Sequence, residues 1–467
     1  MPVIPDNSHY TRLYYNNFMK LFNKSFIICG LSLLLTGCVS PLDFLKPEGE
    51  TPQGDTSKDD QQNPDQQGDQ GQDPGTDPGT DPGTDPGTDP ETPKEVSFIP
   101  EVGEVRLLFE HGTAGETRIY NYCPSIFVDE NNQEHIYYCS NKVEGNVTDY
   151  VAYRKGTISD NKINYSSVAY VLEHSSTTSV WDSRHCCDPS VIKGEFKYQG
   201  ETYNYLMAYL GCLTSDSTRN ETGIAVAKNP QGPWVKCNSM KADGVTPINP
   251  MVPYSEFPVN DNNWGTGQPS LVSVDKKGKV LLFTTVGASN GTYTNLREYD
   301  FSDIDNYVLL RERTRITVDG IKGTTTGASF INNGDFGYDE VNRRVLVAKP
   351  RQYFGTDGKG PNFIADTIDL YYIDDTEGTN VGDVLFAGNN TSKIWKAAGS
   401  IDKSLTGFLR NHNTGLITDP YGRIDASSRV GVAFTRSDED IGGTWSYLST
   451  YRIYATGLAL PNAYYKK

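Results

Sequence analysis

Long hydrophobic runs are missing from this 467-residue chain. The apolar stretch that stands out, Ser25 to Leu35, has 11 residues; crossing a bilayer takes about 20. Amphipathic helical periodicity is also lacking beyond a turn or two, which leaves strands as the material of any core. Positive charge is scarce. Lys and Arg number 42 against 59 Asp and Glu, for a net charge of −17, and no basic stripe offers itself to a nucleic-acid backbone. Glycine-rich segments sit in turns rather than ahead of helices, so nucleotide-binding loops are absent. The eight cysteines include no Cys-x-x-Cys spacing, which argues against a zinc site.

What is present divides the chain into three parts, 1–38, 39–96 and 97–467. Met1 to Phe18 is polar and unlike a signal. Met19 to Lys24 is short and basic, the apolar run follows, and Leu35-Thr36-Gly37-Cys38 closes it. That order is a signal peptide's, with Met19 as its expected start. The closing tetrad resembles the lipobox of bacterial lipoproteins, which makes the Cys38 thiol the lipid attachment point. The expectation is an exported protein, lipid-anchored at the outer membrane or cell surface.

Within the linker, Pro47 to Glu95 collapses into Asp, Gln, Gly, Pro and Thr, with Asp73-Pro74-Gly75-Thr76 repeating every four residues. It carries 14 acidic residues and two basic ones, so most of the negative charge lies here. Such a segment has no apolar surface to offset the entropy of ordering. It reads as a disordered, self-repelling tether with a reach on the order of 40 Å, suited to a bulky substrate.

From Ser97 onward the chain is rich in Tyr, Gly, Thr, Val and Asn, with turn residues between short β-rich runs. One phrase recurs: Cys123-Pro124-Ser125-Ile126, Asp188-Pro189-Ser190-Val191 and Gln268-Pro269-Ser270-Leu271, with weaker echoes at Gly327-Ala328-Ser329-Phe330 and Asn413-Thr414-Gly415-Leu416. After each comes a polar turn and a second strand. Five matched strand starts mean repeats. A β-sandwich does not predict them; an all-β, five-bladed β-propeller does, because radial sheets protect one another's edges. The residues opening the inner strands, Cys123, Asp188, Gln268, Gly327 and Asn413, are then axial. Leu296 to Phe301 reads as the outer edge of blade 3. Lys228 to Trp234 reads as a tight turn whose Trp, like Trp445, packs on a blade. Of the six cysteines in this part, one or two bridges and two structural thiols are expected, among fifteen connectivities.

The repeat, the Asp188-Pro189-Ser190 start, the Tyr205 to Tyr209 strand and the Gly232-Pro233-Trp234 turn together resemble the five-bladed glycoside hydrolases of family 43 and its relatives in families 32 and 117. The likeness runs from Glu101 to about Thr456. Ser437 to Trp445 is similar to the Asp-box turn of sialidase propellers, a structural brace with one extra residue here. A single imperfect copy on five blades argues against a sialidase.

The family-43 resemblance implies three axial carboxylates: a base on blade 1, a pKa-tuning Asp on blade 2 and an acid on blade 3. Only Asp188 matches. Cys123 stands where the base is expected, and Gln268, where the acid is expected, cannot supply a proton. An inverting hydrolase needs two carboxyls with room for a water between them. Asp182, His185 and His412 are the neighbouring candidates, and a histidine acid is what the family-117 resemblance implies. The family likeness also gives His412 the part of organising a bound ion, calcium, or a water; no other cofactor or metal is expected. Trp181 and Trp264 fall just before axial positions, where flat rings can stack on sugars, and Arg184 could hold hydroxyls or a carboxylate. The expected substrate is a polysaccharide or oligosaccharide, met by a monomer that binds no nucleic acid. Three functions follow: hydrolysis of a terminal pentose or similar sugar, glycan binding without turnover, or a protein-interaction propeller.

Overall fold

The structure, a computed structural model, describes residues 105–110, 118–159, 162–215, 217–260, 262–322, 330–351, 364–376, 378–386, 393–426, 430–437 and 447–456. The signal and lipobox with Cys38, the 39–96 linker, Gly327 and most of the Asp-box turn including Trp445 lie outside the described residues.

The described strands form four sheets, the largest of which joins two antiparallel groups through one parallel pair, and together they group as five blades around an axis. Blade 1 runs outward through Asn121–Val128, Gln133–Asn141 and Asp149–Ser159 to Lys162–Tyr165 and Ala169–Leu172. Blade 2 is His185–Tyr198, Glu201–Cys212, Glu221–Ala227 and Val235–Lys236; blade 3 is Gly265–Ser273, Lys279–Ala288, Gly291–Asp300 and Val308–Arg315. Blade 4 is Asp335–Asp339, Arg344–Pro350, Ile368–Asp374 and Lys396–Ile401, with the short strand Arg423–Ile424 paired in parallel inside it. Blade 5 takes Arg410–Thr418, Gly431–Ser437 and Arg452–Thr456, and borrows Arg106–Leu107 as its outer strand. The early strand clasps the last sheet and closes the ring.

Strand periodicity explains why these strands are apolar on both faces. In Lys279–Ala288, Val280 and Leu282 pack toward blade 2, while Leu281 and Phe283 pack toward blade 4. The same alternation fills the other seams, between blades 4 and 5, 5 and 1, and 1 and 2. A middle blade has no solvent face, so the half-buried alternation of a sandwich never arises.

The recurring Pro-Ser has a structural role. Ser125 Oγ accepts the Val191 N–H at 3.3 Å, Ser190 Oγ the Leu271 N–H at 2.9 Å, and Ser270 Oγ the Phe336 N–H at 2.9 Å. At the next seam Asp335 Oδ2 accepts the Leu416 N–H at 2.6 Å. Each blade thus holds the inner strand of the next. The last seam closes by parallel pairing, Ile417 against Ile126, and there Gly415 lies so close that a Cβ would meet the Pro124 carbonyl at 2.1 Å.

Two assignments need correction. The axial position of blade 4 is Asn333, six residues past Gly327. The inner strand opens at Asp335, which does the bracing work of serine, so the Pro-Ser cue is absent there. Blade 3 also extends one strand beyond Leu296–Phe301: Val308–Arg315 pairs outside it.

Candidate functional site

Four of the five inner strands are interrupted where they reach the axis, and in blade 4 the equivalent residue precedes the strand. Cys123, Asp188, Gln268, Asn333 and Asn413 have φ of 52°, 45°, 47°, 46° and 44°. In blades 1, 2, 3 and 5 the pairing register slips at that residue, between Tyr122 and Ser125, Cys187 and Ser190, Gly267 and Ser270, and His412 and Thr414. These are β-bulges, which re-aim a side chain at the cost of left-handed backbone strain. Five such residues form one axial ring. The displaced amides find acceptors on the second strand of the preceding blade: Thr435 Oγ1 for Cys123 at 3.2 Å, Thr285 Oγ1 for Asn333 at 2.9 Å, and Cys139 Sγ for Asp188 at 2.8 Å. Asn333 also donates its side-chain amide to Asn413 Oδ1.

Asp188 is the ring's carboxyl and is 2% exposed. Burial pushes its pKa up to about 7, against a lowering hydrogen bond from the Cys123 thiol and with a further push from the Asp149 carboxylate. Oδ2 has no hydrogen-bond partner. The group can therefore both carry and release a proton near neutrality.

Asp149, which the sequence did not single out, supplies the second carboxyl. Tyr120 donates its hydroxyl to Oδ1 at 2.8 Å. Oδ2 lies 2.9 Å from His185 Nδ1, whose ring also sits 3.1 Å from the Asp149 amide nitrogen. One tautomer donates to the carboxylate, the other accepts the amide. His185 Nε2 is buried with no partner. A pocket beside the ring has Asp149 and Asn413 as its polar groups and Tyr120, Tyr122, Leu448 and Tyr451 among its walls. Asp149 opens the third strand of blade 1, so an acid at a strand start after an Asn-Gly-rich turn was the available cue.

The remaining candidates are spread around this centre. Asp182 is fully buried at blade 2's outer strand, where it pairs with Lys236 Nζ at 2.5 Å and accepts the Ser175 hydroxyl at 2.5 Å and the Tyr209 hydroxyl at 3.1 Å. Its oxygens are engaged in holding the loop before blade 2. Trp181 lies on the same sheet, flat against Gly211 and Gly223, where added Cβ atoms would meet its ring at 2.1 and 2.4 Å. Trp264 is buried in the apolar cluster behind the axis. Arg184 is half-buried with Nε unpartnered. Gln268 is the one half-exposed member of the ring.

His412 is buried just before Asn413, with its pKa held down to about 3 by desolvation, and its Nδ1 has no partner. A neutral imidazole nitrogen suits a water better than calcium, which takes oxygen ligands. Glu221, half-buried on blade 2's third strand, is a further carboxyl raised by burial to about 7, offset in part by the Tyr254 N–H it accepts. Trp234 packs edge-on against Tyr137 with centroids 5.9 Å apart. Among the described cysteines Cys139 and Cys187 are bridged, and Cys123, Cys186, Cys212 and Cys237 keep thiols, four rather than two.

No family model and no curated protein sequence matches the chain. Solved structures with a similar chain course include a family 117 glycoside hydrolase from the marine bacterium Zobellia galactanivorans, with 12% identity and a TM-score of 0.48 over 77% of this chain and 90% of that one. An α-L-arabinofuranosidase from Podospora anserina, in complex with cellotriose, has 10% identity and a TM-score of 0.47 over 77% and 98%. A GH43_1 enzyme from Xanthomonas citri has 10% identity and a TM-score of 0.44 over 76% and 90%. The likeness is loose, and the ring of blades rests on its own sheets.

Proposed function

We propose that the chain is a glycoside hydrolase acting on a complex polysaccharide, releasing a terminal pentose or similar sugar, with Asp188 as its proton donor. The observation that supports this is the axial carboxyl itself: buried, half-satisfied, protonated up to about pH 7, and set beside a second carboxylate. Glycoside hydrolysis asks for that asymmetry, one acid kept protonated and one group able to activate water. Asp149, with His185 behind it, is the second group. Asn413 and Gln268 can hydrogen-bond sugar hydroxyls, and the tyrosines of the pocket offer flat faces. His412 would hold a water at the axis.

A second function, glycan binding without turnover, is favoured by Cys123 and Gln268 standing where carboxylates would be expected. Export, and anchoring to the outer membrane or cell surface through a lipid on Cys38, belong to the same proposal, as does a monomer working at the end of its tether. The test is calorimetric titration against a polysaccharide panel with product analysis of the same mixtures. Released sugar supports hydrolysis; saturable heat without product means binding only; neither heat nor product rejects both.

A further inference from the structure

Three sulfurs and one carboxyl meet at the axis. Cys139 and Cys187 form a disulfide that ties blade 1's second strand to blade 2's inner strand. Cys123 keeps its thiol, and its Sγ, Cys139 Sγ and an Asp188 carboxylate oxygen lie within 4.8 Å of one another. The Cys123 thiol is thus close enough to the Asp188 carboxyl for a proton to pass between them. On the other side, Asp188 Oδ1 is 3.2 Å from Cys187 Sγ. The same oxygen is 3.5 Å from Cys139 Sγ, so Asp188 touches both sulfurs of the bridge and lies within 4.8 Å of the thiol.

The fold does not require sulfur at Cys139. At two other seams the equivalent acceptor of the axial amide is a threonine hydroxyl, Thr435 or Thr285. Cys139 Sγ takes that place only at Asp188. A hydroxyl would satisfy the backbone equally well; sulfur adds the bridge to Cys187.

We propose that Cys123, Cys139, Cys187 and Asp188 form a thiol–disulfide exchange centre, in which the bridge passes between Cys139–Cys187 and Cys123–Cys139. In the forward step Cys123 Sγ bonds to Cys139 Sγ while the Cys139–Cys187 bond breaks, and the electron pair departs on Cys187 Sγ. Asp188, with a carboxylate oxygen within 4.8 Å of the Cys123 sulfur and Oδ1 3.2 Å from Cys187 Sγ, takes the Cys123 proton and delivers a proton to Cys187. One S–S bond is lost and one gained, the carboxylate ends as it began, and no oxidant or reductant is consumed. A base at the thiol generates the thiolate that such an attack needs. The link between two blades becomes one inside blade 1, where Tyr122 and Cys139 are already register partners. Cys187 is left as a thiol 2.9 Å from the Tyr122 hydroxyl oxygen, to which it can donate. The exchange does not rest on the glycosidase proposal, because it is read from sulfur pairing and not from sugar release.

Trypsin separates the two pairings. Cys123 and Cys139 share the segment Ile119 to Lys142, and Cys186 and Cys187 share His185 to Lys193. Full-length protein is incubated without reductant from minutes to days, quenched in acid, capped with N-ethylmaleimide and digested unreduced. The Cys139–Cys187 form gives the two segments cross-linked. The exchanged form gives the first segment closed on itself, two hydrogens lighter, and the second capped twice. Both forms are expected in the wild type, only the cross-link in Cys123→Ser, and only the closed segment in Cys187→Ser. Cys186→Ala should leave the wild-type distribution unchanged. A wild type that never departs from the cross-link overturns the proposal, and so does a Cys187→Ser protein whose first segment is capped at both cysteines. Should Cys187→Ser fail to fold, the wild-type map alone decides.

Discussion

Asp149 and His185 meet across the seam between blades 1 and 2, with Oδ2 of the one 2.9 Å from Nδ1 of the other. Asp149 opens a third strand and His185 opens an inner strand, so only the ring of blades brings them together. The contact holds a second carboxylate beside Asp188, whose proton affinity it raises.

Asp149→Asn removes that negative neighbour. An acid that loses a nearby anion gives up its proton more readily, so the Asp188 pKa falls from about 7. If Asp188 is the donor, the alkaline limb of the kcat/KM profile moves to lower pH. The loss of the second group lowers the rate itself by about 10²- to 10⁴-fold. A pH–rate series on both proteins checks both effects.

Asp188 also couples stability to pH. Its folded pKa lies above the ordinary aspartate value of 3.8, at about 7. The folded state therefore binds more protons than the unfolded state between those limits, and stability falls as pH rises from about 4 to about 7. The fall is on the order of a few kcal/mol for a shift of this size. In Asp188→Asn this component is missing, so the variant gains on the wild type as pH rises through that window. Urea denaturation at pH 4.5 and pH 8 reads the difference.

Ring closure depends on Gly415. A methyl group there would press on the Pro124 carbonyl, backbone that cannot rotate away. Gly415→Ala should cost about 2 kcal/mol or more through overpacking and loosen the seam between blades 5 and 1. Thermal melting and hydrogen exchange of Asn121–Val128 report it.

The repeat and its five-fold period were legible because strand starts carry a local signature: a bulge residue, then Pro-Ser, then an apolar run. Blade 4 escaped because Asn333-Gly334-Asp335 keeps the geometry and the inter-blade hydrogen bond with different residues. Its Asn-Gly pair, suited to positive φ, was the usable cue. Asp149 carried no more than the cue of an acid at a strand start, since its role comes from a contact with a residue on another blade. Asp182 and Trp181 sit close to Asp188 in sequence, yet Lys236 and the glycines Gly211 and Gly223 hold them on blade 2's sheet. Nothing in the local sequence announces those partners.

That placement predicts a division of labour. Lys236→Met leaves the Asp182 carboxylate buried without its cation, which costs roughly 3–5 kcal/mol. Sugar binding at the axis should be unchanged in the folded fraction. A denaturation midpoint that falls while calorimetric affinity holds matches the expectation; an affinity that falls with it places Asp182 in the site.

The most direct measurement is the rate of sugar release by Asp188→Asn and wild type near pH 6, on whichever polysaccharide the wild type degrades. Loss of the proton donor should lower the rate by about 10²- to 10⁴-fold, with the fold and the glycan affinity retained. Equal rates in the two proteins would contradict the assignment of the axial carboxyl as the acid.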